Sequence, residues 1–213
     1  DIDHLDFAGA VEFLAAKSGI ALRYTDRAEG DRREARGKLR EAMAAAVEWY
    51  HERLLTGPDS GAARRYLRDR GFDGERVRQY KIGWAPDDWD QLVKALPFSP
   101  KVLRDAGLGR ESKRGGTNDF FRARVLFPIF DVQGDPIGFG GRMMPDGRPP
   151  KYQNTPETAL YRKSKVLYGL NWAKDEAVRE NEVIICEGYT DVIGFAEVGL
   201  HRAVATCGTA LTD

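Results

Sequence analysis

A carboxylate directly follows a short apolar run near the end of the chain, at Glu187. Residues 183–186 form the run, and Gly188 and a helical pattern come next. This order is typical of a buried parallel strand that ends in a turn, where open α/β sheets bind their ligands. A carboxylate there can bind a divalent cation, with waters and phosphate oxygens as further ligands. A solvent-facing loop acid, or a charge partner for the helix N-terminus, explains Glu187 equally well.

The residues after Glu187 repeat the pattern. Asp191 lies in the first turn of the next helix, where complementing the helix dipole is favoured over direct metal binding. Residues 202–206 predict a second strand, and residues 207–213 a turn into another helix. Because two strands and one helix cannot cover both faces of a parallel sheet, we expect the polypeptide to end inside a domain.

Basic side chains with aromatic and amide neighbours form a second candidate group: Arg122, Arg124, Arg142, Lys151, Tyr152, Asn154 and Lys163. Residues 125–130 and 137–142 predict a β-hairpin, whose open ends lie side by side, so Arg122, Arg124 and Arg142 are expected to form one cationic platform. Such a platform would neutralise phosphates while aromatic rings stack bases. A solvated charged face explains the pattern equally well. Lys113 and Arg114, beside Gly115 and Gly116, predict a mobile basic loop.

The elements that position these groups can be predicted from capping and periodicity. Apolar residues from Leu39 to Leu54 recur every three or four positions, which predicts a helix ended by Gly57-Pro58. Asp73 and Ser99 are expected helix N-caps, and Asn171 is expected to cap a helix that reaches residue 180. Pro128 suggests that the first hairpin strand lies at a sheet edge or carries a bulge. Residues 25–38 predict a charged linker or a solvated helix start.

Composition narrows the class of protein. The 213 residues are 42% hydrophobic and carry 33 basic and 33 acidic side chains, so the net charge does not point to any class of partner. No apolar run approaches the roughly 20 residues that span a bilayer, which predicts a cytoplasmic protein without a membrane partner. Cys186 and Cys207 are expected to be buried free thiols, and the spacing of cysteines and histidines predicts no zinc site in this chain.

Taken together, these motifs resemble the bacterial replicative primases of the DnaG family. The resemblance rests on the order and spacing of several segments: Arg122 to Asp131, Gly138 to Arg142, Lys151 to Thr158, Lys163 with residues 167–170, Glu187 to Asp191, and Gly208 to Thr212. It covers most of the chain. It implies a DNA-directed RNA polymerase that makes short RNA primers on single-stranded DNA from ribonucleoside triphosphates, at replication forks in the nucleoid.

The resemblance also implies roles for individual residues. Glu187 corresponds to the first acidic residue of the Toprim metal site, which holds Mg²⁺ or Mn²⁺, with Asp191 and Lys163 as further catalytic residues. The remaining groove residues would hold template, primer or nucleotide: Arg142, Lys151, Tyr152, Asn154 and Lys163, flanked by Arg122 and Arg124.

Other parts of the family's machinery are expected outside this chain. The remaining metal carboxylates would lie beyond Asp213, zinc would bind in a preceding N-terminal domain, and the replicative helicase would bind a C-terminal domain. Two metal ions need several carboxylates to offset their charge, so we expect the 213-residue chain alone to bind metal weakly and to make no primers.

The expected fold is α+β passing into α/β. A helix-rich N-terminal subdomain with a small mixed sheet is followed by the first strands and helix of an incomplete Toprim subdomain. The boundaries are residues 1–24 for a helix at the end of the zinc-domain and linker region, 25–38 for the flexible charged linker, 39–170 for the subdomain with the basic groove, and 171–213 for the start of Toprim.

Two alternatives remain open from the sequence. Another Toprim-type enzyme, such as a phage primase-helicase, a topoisomerase or a maturation nuclease, shares the motif from Glu187 to Asp191. A non-catalytic module that binds single-stranded nucleic acid would explain the basic residues alone.

Overall fold

The computed structural model describes residues 7–19 and 27–208, in two compact units, Asp1–Ala35 and Arg36–Asp213. The α-helices of the described residues are α1 (Phe7–Lys17), α2 (Arg27–Thr56), α3 (Gly61–Asp69), α4 (Gly74–Gln79), α5 (Gln91–Ala95), α6 (Pro100–Asp105), α7 (Leu170–Glu180) and α8 (Tyr189–Glu197). The strands are β1 (Gly83–Ala85), β2 (Gly109–Glu111), β3 (Thr117–Asp119), β4 (Arg124–Phe130), β5 (Pro136–Met143), β6 (Tyr152–Asn154), β7 (Leu167–Tyr168), β8 (Ile184–Cys186) and β9 (Ala203–Thr206). A 3-10 helix spans Lys163–Lys165. No described helix is both long and apolar enough to cross a bilayer.

The charged segment 27–38 is helical rather than a linker, so the second of the two expectations for it is confirmed. Its alternating acids and bases can form pairs along a solvated helix face, which stabilises a helix that has little to bury. In the first unit, Arg33 pairs with Glu12 of α1 at 3.1 Å. The helix expected to enter after residues 207–208 falls largely outside the described residues.

Most helices begin and end where capping and periodicity predicted. The predicted stripe of α2 is buried, and the helix ends at Thr56, before Gly57 and Pro58. Asp73 accepts a hydrogen bond from the backbone N–H of Arg76, and Ser99 accepts one from Val102, so both predicted N-caps are confirmed. The Asn171 cap is wrong: Gly169, at φ 87°, turns the chain so that α7 begins at Leu170.

The first sheet has the order β1-β4-β5-β6 and is antiparallel throughout. Strand β4 is central, so the expectation that it lies at an edge is wrong. Its neighbour β1 pairs only as far as Leu126, and Pro128 pairs with Phe139 of β5 alone, so the missing N–H of the proline breaks no ladder bond to β1. The register shifts between Ile129 and Phe130, next to the proline, as the bulge prediction required.

Both faces of this sheet are covered. On one face, Phe139 contacts Tyr50 of α2, with ring centroids 5.5 Å apart, and Phe121 at 5.9 Å. On the other face, Phe127 contacts Phe72 at 6.4 Å and Tyr189 of α8 at 6.0 Å. The second of these faces therefore meets the helix that follows Glu187.

The last sheet has the order β7-β9-β8, with β8 parallel to β9 and β7 antiparallel to it. The predicted parallel pair is confirmed, and so is the fold class: a helix-rich part with a small sheet, then an α/β part. The expected burial of β8 is wrong, because this strand pairs only with β9 in the described part of the chain and Ile185 is 51% exposed.

Candidate active site and nucleic-acid surface

Glu187 directly follows the carboxyl end of β8, as the sequence predicted. Because β8 and β9 run parallel, Glu187 and Cys207 emerge at the same edge of the sheet. The Glu187 side chain is exposed there. Asp191 lies in the first turn of α8, and its carboxylate accepts a hydrogen bond of 3.1 Å from the backbone N–H of Gly188. Asp191 thus has the helix-capping role that the sequence favoured, and a direct part in metal binding stays a prediction.

Asn154 joins this edge to the first sheet. Its amide Nδ2 donates to the carbonyl oxygen of Cys207 at 2.7 Å, and its Oδ1 accepts a hydrogen bond of 2.9 Å from the Tyr189 hydroxyl. Both partners flank the strand ends where Glu187 emerges. Asn154, predicted as a nucleotide contact, therefore also holds the two parts of the site together.

The Tyr189 ring packs against Gly140. A Cβ at Gly140 would lie 2.1 Å from Cε2 of the Tyr189 ring, so only a glycine leaves room for the ring on β5. Burial raises the pKa of Tyr189, which keeps its hydroxyl protonated and able to donate to Asn154. Tyr168 packs on the same ring at 4.6 Å. This contact fixes the start of α8, two residues after Glu187.

Arg142 and Tyr152 extend the same face of the sheet. Gly140 pairs with Asn154 and Arg142 pairs with Tyr152, so the second pair lies two residues along the strands with its side chains on the same side. The Arg142 guanidinium donates to the hydroxyls of Tyr66, on α3, and Tyr152. Tyr152 is 42% exposed. The surface formed by Asn154, Arg142 and Tyr152 on this face of the first sheet, next to the Glu187 edge, is called the catalytic face below.

Lysines form the other two predicted positions of this group. Lys151 is exposed, with Nζ 5.9 Å from the Tyr152 ring centroid. Lys163 begins the 3-10 helix, and its backbone N–H donates to Glu157. Their roles stay predictions.

The expected single platform of three arginines is wrong. Arg124 pairs with Met143 and Arg142 pairs with Val125, so the two arginines belong to neighbouring pairs of the β4–β5 ladder. Side chains alternate between faces along a strand, so Arg124 and Arg142 point to opposite sides of the sheet. A substituted Cβ at Gly141 would contact Arg124, whereas one at Gly140 would contact Tyr189, which agrees with this division.

Arg122 and Arg124 instead line a cavity of about 520 Å³ on the side away from Arg142. The Arg122 guanidinium lies 3.7 Å from the ring centroid of Trp89 and pairs with Asp87 at 2.6 Å. Trp89 is 53% exposed. Arg124 is 5% exposed, and among the described residues its Nη1 atom has no hydrogen-bond partner. The exposed ring and the cations around it, Trp89, Arg122 and Arg124, are called the tryptophan surface below.

Sequence reasoning missed Trp89 and Tyr66. A signal existed for Trp89, since a tryptophan between acids at Asp88 and Asp90 has no apolar run to join. Tyr66 reaches Arg142 across 76 positions of sequence, and no local pattern marks that contact.

The described residues contain no group of three His, Cys, Asp or Glu side chains arranged to hold a metal ion. The Glu187 carboxylate fits the chemistry of Mg²⁺, which binds through one or two carboxylates together with waters and phosphate oxygens. Cys186 and Cys207 are free thiols, and burial raises the pKa of the Cys207 thiol.

Comparison with known protein families shows the family to which the chain belongs. Residues 49–174 match the family described as the N-terminal domain of the DNA primase catalytic core. The chain belongs to this family. Residues 181–213 match the Toprim domain, a domain that implies divalent-metal binding. The primase match does not favour the other Toprim enzymes, and the resemblance to DnaG primases is confirmed.

Known relatives of this chain agree with the family assignment. A DNA primase of Streptomyces coelicolor is 44% identical over 98% of this chain, which spans only 33% of that relative. The RNA polymerase domain of Mycobacterium tuberculosis primase DnaG matches with a TM-score of 0.79 and 39% identity, over 84% of this chain and 59% of that one. A DnaG primase catalytic domain bound to ssDNA matches with a TM-score of 0.76 and 38% identity, over 84% and 58%.

Proposed function

We propose that the protein to which this chain belongs is a DNA primase that synthesises short RNA primers on single-stranded DNA. The chain spans about a third of the curated relatives it matches, so activity is assigned to the whole protein. Family membership supports the proposal. The single observation that carries it is the meeting of the Glu187 edge with the catalytic face through Asn154.

The reaction would be attack of a ribonucleotide 3′-hydroxyl on the α-phosphate of a ribonucleoside triphosphate. A phosphodiester bond forms, pyrophosphate leaves, and the hydroxyl proton passes to water. Arg142 and Lys151 present cations to the phosphates, and the exposed Tyr152 ring offers a surface for a base. A divalent ion held by Glu187, Mg²⁺ or Mn²⁺, would supply charge neutralisation at the leaving group and activation of the hydroxyl.

The template would bind the tryptophan surface. An exposed indole beside the Arg122 guanidinium combines base stacking with a cation for phosphate, the two contributions that single-strand binders use, while the buried Arg124 lines the cavity below. The relative bound to ssDNA supports this class of ligand. Because a template base must pair with the incoming nucleotide, the strand held at the tryptophan surface would continue to the catalytic face, where Arg142 would contact one of its phosphates.

The same proposal includes the wider setting of a primase. It would act at replication forks in the cytoplasm, with a zinc-binding domain and a contact to the replicative helicase formed by other parts of the whole protein.

Glu187→Gln in the whole protein tests the proposal. The substitution keeps size and removes the charge, so primer synthesis on single-stranded DNA should fall at least about 100-fold, since catalytic electrostatic contacts are typically of that size. Binding of single-stranded DNA, measured by fluorescence anisotropy, should stay within twofold.

Glu182→Gln is the matched control. Glu182 lies just before the amino end of β8, and its partner Arg202 keeps a second ion pair with Glu176 at 2.8 Å. This variant should synthesise primers normally. Near wild-type synthesis by the Glu187 variant would remove Glu187 from the metal site, and absence of synthesis by the wild-type protein would end the proposal itself.

A further inference from the structure

The hairpin formed by β2 and β3 stands beside the tryptophan surface and has no role in the function proposed so far. Its strands pair at three positions, Gly109 with Asp119, Arg110 with Asn118 and Glu111 with Thr117. The turn carries Lys113 and Arg114, followed by Gly115 and Gly116. Both glycines have left-handed φ, and no atom lies within 4 Å of a Cβ built on either, so the turn is open to solvent.

The hairpin is fixed relative to Trp89. The backbone N–H of Asp119, at the base of β3, donates to the carbonyl oxygen of Trp89 at 2.6 Å. The Asp119 carboxylate is buried and accepts 3.0 Å hydrogen bonds from the N–H groups of Leu92 and Val93, which caps α5. Arg104 of α6 donates to the Thr117 hydroxyl at 2.5 Å. The charged turn is thus held at a set position from the exposed ring.

The charges on the hairpin are available to a ligand. Arg110, Lys113 and Arg114 are exposed, and no ion pair involves any of them in the part of the chain that the structure describes. Neighbouring lysines differ, since Lys94 and Lys101 pair with Asp90 and Asp105. The hairpin cations line a cavity of about 800 Å³ together with Trp89 and Glu111, so they lie next to the tryptophan surface.

We propose that the β2–β3 hairpin is a nucleic-acid-binding arm, which takes the phosphates of a DNA single strand as it leaves Trp89. This inference rests on the proposed function of the tryptophan surface. Three paired positions at about 3.3 Å each give an arm of about 10 Å. Because the phosphates of an extended single strand lie farther apart than the roughly 3.4 Å rise per base pair of a duplex, the arm would reach about two of them.

A single strand fits this surface better than an acidic protein segment. The cations continue from an aromatic ring that can stack a base, and a polyanion with regularly spaced charges can bind both at once. An acidic peptide would gain the charge contacts and leave the indole unused. The same cations are too few on an arm this short to hold a duplex without the ring.

The test compares binding of long and short oligothymidylates by the whole protein. The hairpin variant is Lys113→Ala with Arg114→Ala, and the matched control removes two exposed arginines elsewhere, Arg78→Ala with Arg179→Ala. An oligomer of about 6 nucleotides is long enough for the tryptophan surface only, and one of about 12 nucleotides can also reach the arm. Anisotropy titrations over a range of salt concentrations give the affinity and the salt slope for each pair.

If the arm makes two phosphate contacts, the salt slope for the long oligomer falls by about 1.4 in the hairpin variant, which is up to about 25-fold in affinity at about 0.1 M salt. Affinity for the short oligomer and binding by the control variant should change less than twofold. An unchanged slope with the long oligomer would overturn the arm, and so would an equal loss on both lengths.

Arg122→Ala separates this inference from the function it rests on. If Arg122→Ala loses binding and the hairpin variant keeps it, the arm is refuted and the tryptophan surface stands. Unchanged binding of both oligomers in Arg122→Ala refutes the tryptophan surface as the template site. Hairpin-dependent binding of an oligo-glutamate peptide, with none of DNA, would refute the choice of ligand.

Discussion

Replacing Gly140 with alanine should dislodge the ring that ties the catalytic face to the Glu187 edge. The new Cβ would lie 2.1 Å from Cε2, 2.5 Å from Cζ and 2.8 Å from the hydroxyl oxygen of Tyr189. The ring cannot retreat freely, because Tyr168 packs against it at 4.6 Å and its hydroxyl is bound to Asn154. Gly140 does not have a left-handed φ, so backbone strain adds nothing to the cost.

The size of the effect follows from these contacts. Overpacking a buried site costs about 1–3 kcal/mol. Loss of the hydrogen bond to Asn154 adds about 1 kcal/mol. For a domain of this size, about 2–4 kcal/mol of unfolding free energy corresponds to a Tm lower by roughly 5–15 °C.

Gly194→Ala is the control for this prediction. Gly194 lies inside α8, the same helix as Tyr189, and a Cβ there would have no atom within 4 Å. Alanine in a helix interior is favoured over glycine by about 0.5–1 kcal/mol, so this variant should raise the Tm slightly. Both variants are compared by thermal and urea unfolding. A Gly140→Ala protein as stable as the wild type would show that the ring does not occupy the slot on β5.

Two further predictions concern other contacts of the site. Arg142→Ala should reduce the salt slope of single-stranded DNA binding by about 0.7 if Arg142 contacts one phosphate; an unchanged slope in anisotropy titrations would return Arg142 to a purely structural role with Tyr66 and Tyr152. Asp119→Ala should lower the free energy of unfolding by about 2–5 kcal/mol, because it leaves the buried N–H groups of Leu92 and Val93 without their acceptor; in urea unfolding the exposed-site control Asp105→Ala should lose under about 1 kcal/mol, and an equal loss in both variants would contradict the role of Asp119 as a cap.

Local signals in the sequence predicted local structure well. Asp73 and Ser99 cap their helices because a side-chain acceptor before a helix start has a nearby N–H to bind. The carboxylate after β8 was found because an apolar run, an acid and a glycine are adjacent in the chain. These features depend on a few neighbouring residues, so no knowledge of packing is needed.

The arrangement of the site could not be predicted where it depends on strand register or on contacts between residues far apart in the sequence. The hairpin prediction placed Arg124 and Arg142 close together along the strands, but one residue of register puts their side chains on opposite faces. Trp89 reaches Arg122 through packing that no periodicity encodes. Asn154 carries an amide whose partners, Cys207 and Tyr189, lie 53 and 35 residues away.

Iron-directed cleavage of the whole protein tests whether Glu187 holds a metal ion beside Asn154. Fe²⁺ bound in place of Mg²⁺, with ascorbate and peroxide, cuts the backbone near the ion. We expect cuts around Glu187, Gly208 and Asn154, which disappear in Glu187→Gln, and none around Trp89 and Arg122 on the other side of the sheet. Cuts at Trp89, or a pattern unchanged by the loss of the Glu187 carboxylate, would contradict metal binding by Glu187 next to the catalytic face.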